Sequence, residues 1–260
     1  MPLFCFINLA FVFLRIFINF EYSYYKKMKQ LSSIHYATIS LIILSLLMYY
    51  VYFANTRNLN SPIIKYEFVK TSNDVKDIFM ENNEFKKDII QGVHDQNIID
   101  YAYMLSYSLL LIFAFIKIKD FERKKIYIIG IIAAVIALAT DAIENILLFN
   151  ISELLTTRNN FATQVDLLFI VTRIKWFSIA IALFIMSFHY YKFKILGKIF
   201  SIVSSLPFIF SILYYFIDTE IIQKYFTGSI MIAFVILMIW IFIPKNSNKS
   251  ISFYKEIAFK

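Results

Sequence analysis

Hydrophobic residues make up 60% of the 260-residue chain and charged residues only 17%, against about 45–50% and about 25% in soluble domains, so an ordinary water-soluble fold is excluded. A net charge of +8 would raise nucleic acid as a partner in a soluble protein. Here the Lys and Arg fall mainly in short stretches between apolar runs, the topogenic pattern of a membrane protein, and no nucleic-acid partner is expected.

The apolar runs are near twenty residues long, and four Gly and four Pro leave little material for turns. Only helices and closed barrels satisfy the backbone in lipid, and a barrel would show alternating segments of about ten residues. The expected fold is therefore all-α. It is a polytopic membrane helix bundle of six transmembrane helices, with a small outer segment between the first two spans. An N-terminal hydrophobic segment precedes it. Residues 1–27 are open to three readings: a further span, an interfacial segment, or an extension upstream of Met28. The stretch carries Arg15 within its apolar run, ends on Lys26 and Lys27, and lacks the basic start and small-residue cleavage site of a signal peptide. The lone Cys5 excludes an intrachain disulfide and a cysteine-based metal cluster.

The bundle is expected over residues 28–245. Its first span, 34–54, is preceded by lysines and enters from the cytoplasm. The outer segment, 55–97, holds six basic and seven acidic residues, so it carries no positive-inside signal. Within it, residues 63–69 alternate like a short strand. Thr71-Ser72-Asn73-Asp74 reads as a capping box opening a helix with Val75, Ile78 and Phe79 on one face. A second short helix, about 83–91, is expected to end at Gly92.

The remaining spans are 98–116, 126–149, 165–188, 199–217 and 225–243. Lys117, Lys119, Arg123, Lys124 and Lys125 place one loop in the cytoplasm, and Lys192, Lys194 and Lys198 place another. Pro207 is expected to kink the fifth span. Residues 246–260 form a basic cytoplasmic tail. The expected location is the inner (plasma) membrane, with both ends of the six-span bundle cytoplasmic and the oligomeric state open.

The chemistry concentrates in the third and fourth spans. Asp141, Glu144 and Asn145 are three and four residues apart and share one helical face. Counting ~1.5 Å per residue puts Asp141 roughly 13 Å deep and Glu144 roughly 9 Å. In the next span Arg173 lies roughly 10 Å deep and Lys175 roughly 13 Å, by the same rise. Opposite charges on neighbouring antiparallel helices can thus meet. Arg173 and Lys175 are two residues apart and point to nearly opposite sides, so one of them is expected to enter the cluster directly. Asp100 stands near the outer end of the second span.

Two readings of this set remain open. It is an interhelical ion pair that fixes register, or a site for a small polar ligand, cation or proton. No metal or other cofactor is expected, because His35, His94 and His189 are scattered and read as interfacial or solvated. No HExxH, G-x-S-x-G or Walker A motif occurs. Ser106, Ser108, Thr140 and Ser178 are expected to bond back to their own helices.

Several of these residues also recur in order: Tyr66-Glu67-Phe68 and Ser72 to Phe79, Asp100-Tyr101 with Tyr107, Asp-x-x-Glu-Asn at Asp141, Glu144 and Asn145, and Lys175 before Trp176. In this the chain resembles a group of small bacterial multi-pass integral membrane proteins, over about residues 34–188. Arg173 is outside that pattern. No activity is established for the group, so the resemblance implies important residues and no reaction. The expectation is a non-enzymatic membrane protein, structural or binding a small polar ligand or ion. A proton- or cation-coupled transporter component and an intramembrane lipid-modifying enzyme are the alternatives.

Overall fold

The computed structural model describes residues 33–55, 62–81, 84–157, 160–193 and 195–242. The N-terminal segment 1–27 and the tail 246–260 lie outside the described residues. Among the described residues the chain forms eight helices and one hairpin. In order these are α1 (Ser33–Asn55), α2 (Pro62–Glu67), α3 (Ser72–Phe79), β1 (Met80–Glu81), β2 (Glu84–Phe85), α4 (Lys87–Glu122), α5 (Ile126–Thr156), α6 (Ala162–Tyr190), α7 (Ile195–Ile217) and α8 (Glu220–Phe242).

Five of these, α4 to α8, are long and apolar enough to cross a membrane, while the apolar stretch of α1, Ile34–Leu47, is shorter. The architecture is that of an all-α, multi-pass membrane bundle. Each long helix packs mainly on the next, α1 on α4 and then α4 through α8 in sequence, and α8 returns to touch α1 and α6. The apolar residues left exposed, such as Ile129, Ile132, Ile170 and Ile202, lie on the helix surfaces, where lipid replaces water as the surrounding medium.

Small residues set the closeness of the centre. Ala133, Ala134 and Ala137 of α5 are buried with Ala180 and Ala182 of α6, and small side chains let helix backbones approach without a hydrophobic driving force. At Gly130 an added Cβ would collide with the ring of Phe115, which is itself fully buried. Gly130→Ala is accordingly expected to destabilise the protein by about 1–3 kcal/mol, the usual cost of overpacking. The midpoint of thermal unfolding in detergent checks this, and an unchanged midpoint would refute it.

α4 has 36 residues, roughly 54 Å at ~1.5 Å per residue, against a hydrocarbon thickness of about 30 Å. Its first turns therefore overhang the bundle. There Ile89, Ile90 and Val93 pack with Leu148 and Ile151 of α5 and Leu168 of α6 around Tyr66, Val75 and Phe79. This second core seats the segment α2–α3 as a cap over one end of the bundle. α3 opens as the sequence predicts. The Asp74 backbone N–H donates to Thr71 Oγ1 (3.2 Å), Asp74 accepts from the Thr71 N–H (2.8 Å), and Val75, Ile78 and Phe79 are buried.

Two local expectations in the cap are corrected. Residues 63–69 are not extended: α2 covers Pro62–Glu67. Proline suits a first helical turn, and Ile63 and Tyr66, three apart and both buried, satisfy helical spacing as well as alternation. Nor does a helix over 83–91 end at Gly92. The hairpin pairs Met80 with Phe85 and Glu81 with Glu84, and α4 then runs from Lys87 through a buried Gly92. A glycine costs a helix about 1 kcal/mol, too little to end one whose apolar face continues through Ile89, Ile90 and Val93. Pro207 lies inside α7 and is buried.

Candidate functional site

Three transmembrane helices and the cap bring their ionisable side chains to one place. Lys175 of α6 is the hub. Its Nζ lies 2.6 Å from Glu144 Oε2, 3.3 Å from Asp141 Oδ1 and 3.1 Å from Glu67 Oε2. Glu144 is 0% exposed, Asp141 2%, Lys175 4% and Glu67 8%, so the charges meet out of contact with bulk water. Asp141 and Glu144 reach Lys175 together because they share a helical face.

The surrounding groups hold these carboxylates in place. Tyr107 donates to Asp141 Oδ2 (2.6 Å), and the Trp176 indole N–H donates to Glu67 Oε2 (3.2 Å). Asn145 Nδ2 donates to Asp100 Oδ2 (2.8 Å), and Asn97 Nδ2 donates to the Asn145 carbonyl (2.9 Å). Tyr66, next to Glu67, donates to the Leu148 carbonyl (2.9 Å) and pins the cap over the cluster. Some acceptors stay unanswered. Glu144 Oε1, Asn97 Oδ1 and Gln96 Oε1 are buried with no hydrogen-bond partner among the described residues.

Of the residues singled out in the sequence, Asp141, Glu144 and Lys175 thus meet directly, while Asp100 and Asn145 pair with each other beside them. Arg173 does not enter the cluster. It leans over the Phe169 ring and reaches Asp218 (3.3 Å), just past the end of α7. Asp218 also receives Lys70 from the cap (2.8 Å). Arg173 therefore belongs to a latch between the cap and the α7–α8 turn.

Partial burial alone would raise the Asp218 carboxyl. Hydrogen bonds from Lys70 and Tyr214, with the charges of Lys70 and Arg173, instead hold it below the usual carboxylate value. The folded state thus binds that proton more weakly than the unfolded chain. The latch contributes its stabilisation above the ordinary aspartate value and loses it as pH falls through the lower folded value. Amide exchange in residues 62–79 is expected to accelerate on acidification through that range and to be already fast in Asp218→Asn. Exchange insensitive to both would show that the latch does not hold the cap.

Two members of the cluster, Glu67 and Tyr107, were marked as important in the sequence by the family resemblance alone. Glu67 lies 108 residues from Lys175, and no local spacing points to their contact. The signal for Tyr107 was present, since it is seven residues from Asp100, two turns along the same face.

A second buried cluster was missed altogether. At the opposite end of the same helices Glu122, the last residue of α4, accepts from Tyr127 (2.6 Å) and contacts His189 Nδ1 (2.6 Å) and Lys192 Nζ. His189 is not solvated, as expected from its place at a span end, but 2% exposed and ringed by Tyr190, Phe193 and Trp240. Tyr127 and His189 lie 14 residues from Asp141 and Lys175 on their helices, roughly 21 Å at ~1.5 Å per residue, so the two clusters form separate layers.

The hydroxyls within the spans follow expectation in part. Thr140 bonds back to Ile136 (2.8 Å), but Ser106 pairs with Ser40 of α1 (3.0 Å). Ser108 Oγ is buried with no hydrogen-bond partner among the described residues. Among the described residues no group of three or more His, Cys, Asp and Glu side chains is arranged to hold a metal ion.

In comparisons with known proteins, no family model, no curated protein and no solved structure matches the chain.

Proposed function

We propose that this is an inner-membrane protein whose buried carboxylate–lysine cluster binds a small cation, in the first place the proton. The single observation that carries the reading is the charge imbalance at Lys175. Three carboxylates converge on one ammonium away from water, and a fourth, Asp100, is held by Asn145, the neighbour of Glu144 in the chain. Carboxylates that share a dry site cannot all ionise at low cost. The unpartnered Glu144 Oε1 is an acceptor with nothing to accept, which suits a proton or other small cation at that oxygen.

In this reading α1 is the first of six spans, since its 23 residues make roughly 35 Å of helix. Both ends of the six-span bundle face the cytoplasm, and the cap and the Lys175 cluster lie on the outer side. The kinship with small bacterial multi-pass proteins belongs to the same reading. The deep burial of Asp141 and Glu144 favours an ion held within the bundle over an open substrate cavity, which ranks the lipid-modifying enzyme last.

Infrared spectroscopy of the protein in lipid tests the proposal. The expected result at neutral pH is the carbonyl stretch of a protonated carboxyl, lost in Glu144→Gln or Asp141→Asn. With no such band, and with thermal stability indifferent to sodium and potassium, the cluster would be a fixed ion-pair network and the ion-binding reading would fail.

A further inference from the structure

We propose that the turn between α4 and α5 is a binding site for the headgroup of an anionic phospholipid. Lys119, Asp120, Arg123, Lys124, Lys125 and Ile128 line a pocket of about 370 Å³ between the end of one membrane helix and the start of the next. Four cations face one carboxylate there. No salt bridge pairs any of the four among the described residues, and Arg123, Lys124 and Lys125 are exposed. The nearby carboxylate of Glu122 does not answer them, because Tyr127, His189 and Lys192 already occupy it.

The backbone supplies an independent observation. Among the described residues only two non-glycine residues have positive φ, Arg123 at 55° and Asp218 at 37°. The left-handed conformation favours glycine or asparagine at a helix end. Asp218 has partners that account for its side chain, Lys70 and Arg173. Among the described residues Arg123 has no such partner, yet it stands where glycine would relieve the backbone as the C-cap of α4. A topogenic role explains a count of positive charges near the membrane, but it does not require an arginine at that one strained position. A guanidinium at that cap can meet a phosphate with two parallel hydrogen bonds.

The ligand's second half fits as well. Ile128 lines the pocket, and Phe121, Ile126 and Ile129, next to its lining residues in the chain, are exposed with it, an apolar surface for acyl chains. Lys125 provides no side-chain cap for α5, so the first-turn N–H groups add to the positive field. Basic pockets between membrane helices recognise lipid headgroups in this way. A free phosphate would use the cations but not the apolar wall.

The test is a lipid titration of the full-length protein in neutral detergent, read as the thermal unfolding midpoint. Short-chain phosphatidylglycerol is expected to raise the midpoint, whereas phosphatidylcholine of equal chain length and inorganic phosphate are not. Apparent affinity for phosphatidylglycerol should fall about fivefold for each cation removed in Lys124→Gln and Lys125→Gln. Arg123→Gly gives opposed readouts: the lipid-free midpoint holds or rises as the backbone relaxes, while the phosphatidylglycerol response is lost. An equal response to phosphatidylcholine, a full response to inorganic phosphate, or variants that keep the response would each overturn the proposal. A lipid-free midpoint lowered by Arg123→Gly would do so too, by showing that the arginine serves the fold. None of these outcomes bears on the carboxyl band that tests the Lys175 cluster.

Discussion

Lys175→Met is expected to destabilise the protein by about 3–5 kcal/mol, because it leaves buried carboxylates without their counter-charge. Lys175 is the only cation in contact with Asp141 and Glu144 among the described residues, and it also holds Glu67 of the cap. Its loss should therefore be felt in two places: as a lower unfolding midpoint in detergent and as faster amide exchange in α2 and α3. Removing charge from the other side should recover part of it. Lys175→Met combined with Glu144→Gln and Asp141→Asn is expected to be more stable than Lys175→Met alone, since the partners lie in one network and their effects do not add. A single Lys175→Met variant as stable as the parent would refute this and show that the carboxylates need no fixed counter-charge there.

Glu122→Leu should be the next most damaging change, at about 2–4 kcal/mol. Its carboxylate answers Tyr127, His189 and Lys192 at once and ties the end of α4 to the start of α5 and the end of α6. Glu122→Gln retains one acceptor oxygen and is expected to lose clearly less. Thermal unfolding in detergent separates the two. Equal and small losses would mean that the aromatic packing of His189, Phe193 and Trp240 carries this end of the bundle without the carboxylate. Because the clusters lie roughly 21 Å apart along α5 and α6 at ~1.5 Å per residue, the effects of Glu122→Leu and Lys175→Met should add.

The sequence by itself determined the solvent and the class of fold. Apolar runs near twenty residues with so few glycines and prolines admit little but membrane helices, and five such helices stand where the runs are. It also determined which residues share a helical face, since that follows from a period of 3.6 alone. Asp141 and Glu144 could be paired, and their depth matched to Lys175, without coordinates. The capping box at Thr71 and Asp74 was legible for the same reason, as its hydrogen bonds span three residues.

Only the tertiary structure decided what lies across the bundle. Arg173 and Lys175 had nearly equal claims by depth. Lys175 enters the cluster because α6 turns that side toward α5, and Arg173 faces the α7–α8 turn where Asp218 meets it. Helix rotation is set by packing against neighbours, and depth does not encode it. Glu67 was hidden because its partner is 108 residues away. His189 was misjudged because a place at a span end suggests solvent, whereas α8 brings Trp240 over it. The start of α4 was misplaced for a similar reason. Gly92 weakens the helix locally, and burial of Ile89, Ile90 and Val93 against the cap outweighs that propensity, which is a weak guide once tertiary contacts form.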